Sequence, residues 1–95
     1  MDGSTVLKVA DGVLTRMAGS EMVLLDLDSE EFFGLDGVGA RVFELLEQPQ
    51  RFDDVLGTLL REYDVDRETL TADVNALVAD LVARNLLAIV TPPPG

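Results

Sequence analysis

Residues 22–46 read MVLLDLDSEEFFGLDGVGARVFELL, and the apolar spacing changes within them from the two-residue period of a strand to the roughly 3.6-residue period of a helix. Residues 22–27 and 31–35 are mostly apolar and flank the polar turn Ser29-Glu30, which predicts an antiparallel hairpin. After Asp36, a predicted N-cap whose side chain accepts from the first helical turn, apolar residues follow at i, i+4, i+7 and i+8: Val38, Val42, Leu45 and Leu46. The stretch therefore predicts a hairpin that leads directly into a helix.

Two more helices are predicted downstream. The second carries an apolar stripe that begins at Phe52, and the third spans roughly residues 67–84. Asp66 is the predicted N-cap of the third helix, and Asn85 is its predicted left-handed C-terminal cap. Residues 86–90 form a final extended segment.

Upstream of residue 22 the apolar residues alternate again. Residues 6–10 and 13–17 flank an Asp11-Gly12 turn signal, and they either pair with the hairpin or lie loosely over it. The whole pattern, strands followed by three helices, predicts an α+β fold, a helix-turn-helix variant with a β-hairpin packed on one side. We expect a single domain over residues 1–90 and a free, Pro-rich extended tail over residues 91–95, because prolines remove backbone donors.

Composition excludes several classes of function. The 95 residues include no Cys and no His, which removes disulfides, thiol chemistry and the commonest general base and metal ligand. Eighteen acidic residues against seven basic ones give a net charge of -11, which repels nucleic acid and anionic membranes. The N-terminus lacks the features of a signal peptide and no apolar run is long enough to span a bilayer, so a cytoplasmic protein is expected. The acidic hairpin tip is interpreted as a solvated turn, and we expect no enzyme activity, metal or cofactor.

The predicted strand at residues 31–35 is a candidate peptide-binding edge, because it is the last strand before the helices. An aromatic side chain lies on each of its faces, and such an edge can bind an extended peptide by strand addition. The alternative is that one Phe belongs to the core and the other is a half-buried edge residue. Since side chains alternate, Phe33 and Leu35 are predicted to face the helices and Phe32 the outer side.

Four segments together resemble the PqqD-like family, and they occur in the family's order between residues 23 and 87. They are VLLDLDSEEFFGLD, GARVFELL, EYDVD and LTADVNALVADLVARNLL. Phe43 stands where the family often has Trp, and Asn85 where it often has Gly. The chain is most similar to the stand-alone recognition proteins of lasso-peptide biosynthesis.

The resemblance implies a protein that binds the leader of a ribosomally made precursor peptide, with a leader peptidase as partner. It implies a winged helix-turn-helix fold in which a three-stranded antiparallel sheet is followed by three helices. It also implies that the leader adds as a strand beside the third strand, residues 31–35 in this sequence, and packs against the third helix. Carried over to this sequence, the peptide-binding residues are Glu31, Phe32, Phe33, Gly34, Leu35, Val74, Leu77, Val78 and Leu81.

Two further expectations follow for this site, and one competing hypothesis remains. On the third helix, Val78 is predicted to face the groove and Leu77 the core. Gly34→Pro is predicted to weaken binding if the amide of Gly34 faces the open edge, and to cost stability if it faces the hairpin. The competing hypothesis is an acidic winged-helix transcriptional regulator or anti-regulator, which would show salt-sensitive affinity for DNA.

Overall fold

The computed structural model describes residues 2–90, in which the chain forms six strands and three helices. Four strands come first, and they are β1 (Val6–Val9), β2 (Val13–Ala18), β3 (Glu21–Asp26) and β4 (Glu31–Leu35). Helix α1 (Gly37–Leu45), the short strand β5 (Gln50–Arg51), helix α2 (Phe52–Glu62), helix α3 (Arg67–Ala83) and strand β6 (Leu87–Val90) follow. The predicted α+β winged-helix class is confirmed. The predicted tail lies outside the described residues, so the domain boundary at residue 90 stays a prediction.

Strands β2, β3 and β4 form one antiparallel sheet in that order, so the predicted hairpin is confirmed. Leu24 in the central strand, β3, lies opposite Thr15 of β2 and Phe33 of β4. Gly19 (φ 65°) and Glu30 (φ 60°) adopt left-handed conformations in the two tight turns that connect the strands. The sequence left open where β2 belongs, and the structure shows it paired along all six of its residues with β3.

The predicted three-stranded antiparallel sheet is present as β2–β3–β4, but β1 lies outside it, at the centre of a second three-stranded sheet. It pairs antiparallel with β6 through four residue pairs and with β5 through two, in the order β5-β1-β6. Both partners of β1 lie far from it in the sequence, so no local pattern indicates the pairing. The final extended segment of the sequence thus returns to the first strand and closes the fold.

Helix α1 packs on β3 of the β2–β3–β4 sheet, whereas α2 and α3 pack against each other and against β5 and β6 of the second sheet. The core includes Leu7 from β1, Met22 and Leu24 from β3, and Phe43 from α1, each at most 1% exposed. No polar or charged side chain is buried in the part of the chain that the structure describes. None of the helices in residues 2–90 is long and apolar enough to cross a membrane.

The ends of α3 follow the sequence prediction. The side chain of Asp66 accepts a hydrogen bond from the amide of Thr69 at 3.1 Å. Asn85 has φ 62°, and the amide of Leu86 donates to the carbonyl of Leu81 at 2.9 Å, which closes the helix in a Schellman motif. Asp36 stands at the N-cap of α1, but its side chain makes no capping hydrogen bond, so that detail of the prediction is wrong.

A bidentate ion pair joins α1 to α2. The guanidinium of Arg41 donates to the two carboxylate oxygens of Glu62 at 2.8 and 2.7 Å. These hydrogen bonds are the main reason that the pKa of Glu62 lies below its ordinary value, and they raise the pKa of Arg41. The pair therefore stabilises the fold only while Glu62 is ionised.

We expect Glu62→Gln to lower the melting temperature at neutral pH but not in acid. A carboxylate whose pKa is lowered by folding contributes stability above its unfolded value, ordinarily 4.5, and loses that contribution as the pH falls through the lowered folded value. Thermal melts of both proteins from neutral pH downward should give melting temperatures that converge once the pH is below the lowered pKa of Glu62. Glu47→Gln, at an exposed carboxylate with no ion pair in residues 2–90, is the control, and a difference that persists in strong acid would contradict the assignment.

Candidate functional site

The direction of the backbone groups in the β2–β3–β4 sheet can be read from one hydrogen bond beyond its end. The amide of Leu27 donates to the carbonyl of Gly12 at 2.9 Å, so the backbone of Leu27 faces β2. Because these groups alternate along a strand, Leu25 also faces β2, and Leu24 faces β4. Leu24 and Phe33 are directly opposite residues and therefore form a hydrogen-bonded pair.

The same alternation identifies the free backbone groups of β4. Phe32 and Gly34 lie between the hydrogen-bonded pairs, so their N–H and C=O groups point away from β3. No strand within residues 2–90 pairs with that side of β4. The edge thus offers two donors and two acceptors to an incoming extended chain.

Gly34 keeps this edge accessible. It is exposed, and a Cβ built on it would lie 3.2 Å from the Oε1 atom of Glu21, the end of a flexible side chain. Its backbone is not left-handed, so glycine is not needed here for conformation. The absence of a side chain instead leaves room beside the free amide.

The side chains of β4 divide between the two faces of the sheet as the sequence predicted. Phe33 and Leu35 are half-buried and pack against the core, whereas Phe32 is 72% exposed on the opposite face. Glu31 begins the strand, and its side chain is exposed. The prediction that Phe33 and Leu35 face the helices is confirmed.

Helix α3 forms the opposite wall of a groove along β4, which we call the β4–α3 groove. It encloses about 240 Å³. The residues that line it on the two walls are Leu24, Phe33, Gly34, Leu35, Leu77, Asp80, Leu81, Arg84 and Leu86. At its rim, the guanidinium Nε of Arg84 donates to the carboxylate of Asp80 at 3.0 Å. The groove is apolar at its floor and carries an exposed ion pair at its rim.

A second hollow continues along the same side of α3 toward its N-terminus. It encloses about 220 Å³, and its wall residues are Val38, Val65, Thr69, Leu70, Asp73, Val74 and Leu77. Leu77 lines both hollows and so marks the boundary between them. Together they form an apolar track along α3, of which only the first hollow is lined by β4.

The predicted orientation of α3 is wrong at two neighbouring positions. Val78 is 0% exposed and belongs to the core, whereas Leu77 is half-buried and lines the groove. Val74 and Leu81 are also almost fully buried, yet each contributes to the wall of one hollow. Of the four predicted helix residues, Leu77 therefore presents the most surface to a docked chain.

Sequence reasoning missed the rim residues Asp80 and Arg84. They lie three and seven positions after Leu77, which places them on the same face of a helix. The signal was available in that spacing, but it depends on knowing that Leu77 rather than Val78 faces the groove. The hollow near Val38 and Val65 was missed because it forms only where the start of α1 approaches α3.

The sequence profile described as "Coenzyme PQQ synthesis protein D (PqqD)" matches residues 21–87, the segment that contains β3, β4, α3 and therefore both walls of the groove. The chain belongs to the PqqD family. The match begins at β3, so β1 and β2 lie outside it.

Two solved structures have the same fold as this PqqD family member. One is TbiB1 in complex with the TbiA(beta) leader peptide, which is 34% identical, with a TM-score of 0.82 over 90% of this chain and 99% of the other. The second is lasso peptide synthetase B1 complexed with the leader peptide, which is 27% identical, with a TM-score of 0.76 over 86% of this chain and 96% of the other. Among curated proteins, none is similar enough to match.

The chemistry available at the groove is that of binding. Free backbone donors and acceptors lie beside an apolar track, with polar atoms mainly at the rim. Among residues 2–90, no three His, Cys, Asp or Glu side chains group in a way that could hold a metal ion. The arrangement suits an extended peptide that pairs its main chain and inserts alternate side chains.

Proposed function

We propose that this protein is an adaptor that captures the leader region of a ribosomally made precursor peptide by strand addition to β4. The precursor belongs to the lasso-peptide class. The proposal is supported by the family, and by the two similar structures, each of which contains a leader peptide. In this arrangement the leader becomes the fourth strand of the β2–β3–β4 sheet.

One observation carries the proposal, namely that the free backbone groups of Phe32 and Gly34 lie directly beside the apolar β4–α3 groove. A peptide paired with these groups directs every second side chain toward α3, where Phe33, Leu77 and Leu81 form the walls. Main-chain pairing supplies affinity for many sequences, and the two hollows select the side chains that fit. The leader is expected to gain order on binding, whereas the edge and the groove are already formed.

The adaptor carries out no chemistry itself in this proposal. It raises the effective concentration of the precursor at a partner enzyme, a cysteine-type leader peptidase, which removes the bound leader. Because the precursor is made by ribosomes, the adaptor is proposed to act in the cytoplasm.

The proposal is tested by amide NMR of the ¹⁵N-labelled protein as leader peptide is added. We expect shifts concentrated in residues 31–35 of β4 and in residues 73–84, which belong to α3 and its C-cap, since these form the edge and the groove wall. A peptide of the same composition in scrambled order is the control. Shifts centred on α2 or on residues 91–95 would show that the leader binds another surface.

The protein is not expected to bind DNA in the manner of a winged-helix regulator. Its net charge is -11, and α3, the helix that would enter a groove, carries Glu68, Asp73 and Asp80 between the arginines near its ends. Fluorescence anisotropy should show no binding to random duplex at protein concentrations that saturate the leader. Duplex affinity comparable to leader affinity, with a steep salt dependence, would favour the regulator hypothesis.

A further inference from the structure

The outer face of the β2–β3–β4 sheet carries a row of apolar side chains that runs across all three strands. Leu14 lies directly opposite Leu25, and Leu25 lies directly opposite Phe32. Opposite residues in antiparallel strands have Cβ atoms about 5 Å apart, so the three side chains form a continuous row. Leu27 shares the parity of Leu25 and extends the row toward the hairpin tip. We call Leu14, Leu25, Leu27 and Phe32 the outer apolar row.

This row has no role in the core of the described fold. Leu14 is 56% exposed, Leu27 50% and Phe32 72%, and no member of the row packs against the core cluster. Single exposed apolar residues are common, but a contiguous set on one sheet face is typical of an interaction surface. The row is therefore a candidate for contact with another macromolecule.

The charges around the row indicate what kind of surface can cover it. Glu21 lies at one end of the face, Asp28 and Glu30 are exposed at the hairpin tip, and Arg16 is the one basic side chain on this face within residues 2–90. A second copy would bring two such acidic rims together on chains that each carry a charge of -11. The complementary surface is apolar at its centre and rimmed by Lys and Arg.

The position of the outer apolar row relative to the β4 edge indicates which kind of protein covers it. A peptide added to β4 places alternate side chains in the groove, and the remaining ones lie on the outer face next to Phe32. Any protein that covers the outer apolar row then contacts the bound peptide as well. The surface that it recognises is complete only when the adaptor is loaded.

We propose that the outer apolar row is the docking surface for the enzyme that processes the captured precursor, through an apolar patch of that enzyme with a basic rim. This inference rests on the proposed function. The inference adds that the two faces of β4 bind different partners. The groove side binds the leader, and the outer side binds the enzyme. The enzyme is expected to bind the adaptor–leader complex more tightly than the free adaptor.

The test measures two affinities of the full-length protein, one for the leader peptide and one for the leader peptidase that processes the same precursor. Leu14→Glu places a charge in the row, on the strand farthest from the peptide edge. Ile89→Glu is the matched control, because Ile89 is 48% exposed but lies on β6 in the other sheet. We expect Leu14→Glu to weaken peptidase binding to the leader-loaded protein by about tenfold or more, and Ile89→Glu to leave it unchanged. Leader affinity should be unchanged in both variants.

Other outcomes would separate a failure of the docking surface from a failure of the proposed function. Wild-type peptidase affinity in a Leu14→Glu variant that binds leader normally would overturn the docking surface and leave the proposed function standing. A wild-type protein that binds no leader would overturn the proposed function itself. If Leu14→Glu does not fold, Leu27→Glu at the hairpin tip takes its place with the same expectation. A wild-type dimer that the substitution dissociates in sedimentation would show that a second copy covers the row, against the proposal.

Discussion

Val78→Asp is expected to destabilise the protein strongly, whereas Leu77→Asp is expected to leave it stable but to weaken its binding of a leader peptide. Val78 is fully buried in the core, and an unpaired carboxylate there costs about 4 kcal/mol or more. The free energy of unfolding of a small domain is only about 5–15 kcal/mol, so this change removes much of it. Urea denaturation followed by circular dichroism measures the free energy of unfolding of each variant.

Leu77 is half-buried at the boundary of the two hollows, so a charge there remains partly solvated in the free protein. Docking a peptide would desolvate it, and we expect leader affinity to fall roughly tenfold to a hundredfold. Ala79→Asp, at an exposed position on the same helix, is the matched control. It should change neither the free energy of unfolding nor the leader affinity greatly. A Val78→Asp protein with normal stability, or a Leu77→Asp protein with normal leader affinity, would contradict this orientation of α3.

Gly34→Pro is expected to produce a folded protein whose leader affinity is reduced roughly tenfold to a hundredfold, because one edge donor is lost. The alternation of backbone groups directs the Gly34 amide away from β3, so no hydrogen bond within the sheet is broken. Proline is accepted on edge strands, and it favours the extended backbone that Phe33 already has in β4.

Gly34→Ala is the control for this prediction, since it adds a Cβ at the same place and keeps the N–H. Calorimetric titration with leader peptide gives the affinities, and thermal melts give the stabilities. A large loss of stability in Gly34→Pro alone would show that the amide pairs with β3. Equal affinities for wild type and Gly34→Pro would show that the peptide does not pair with this part of the edge.

The two predictions separate the components of the proposed site. Leu77→Asp changes a side chain of the groove and leaves the β4 edge intact, whereas Gly34→Pro changes the edge and leaves the groove side chains intact. Because leader pairing and side-chain insertion occur in one docked peptide, a double variant is expected to show less than additive losses. Fully additive losses would indicate that the two surfaces bind independently.

Local features of this protein could be predicted from its sequence because they depend on neighbouring residues. The apolar period of residues 22–35 determines the hairpin, and the parity of Phe33 and Leu35 determines the face that they occupy. Asp66 and Asn85 mark the two ends of α3 through interactions that span only a few residues. The absence of His and Cys and the strong negative charge limit the chemistry of the chain whatever its fold, because they are properties of composition.

The tertiary structure alone decided how these elements meet. The pairing of β1 with β6 joins opposite ends of the chain, and no periodicity records such a contact. On α3, Leu77 and Val78 are both apolar, and alanines occupy several of the other positions, so the sequence shows little contrast between helix faces. The rotation of the helix about its axis is determined by packing against β6 and α2, which buries Val78 and leaves Leu77 in the groove.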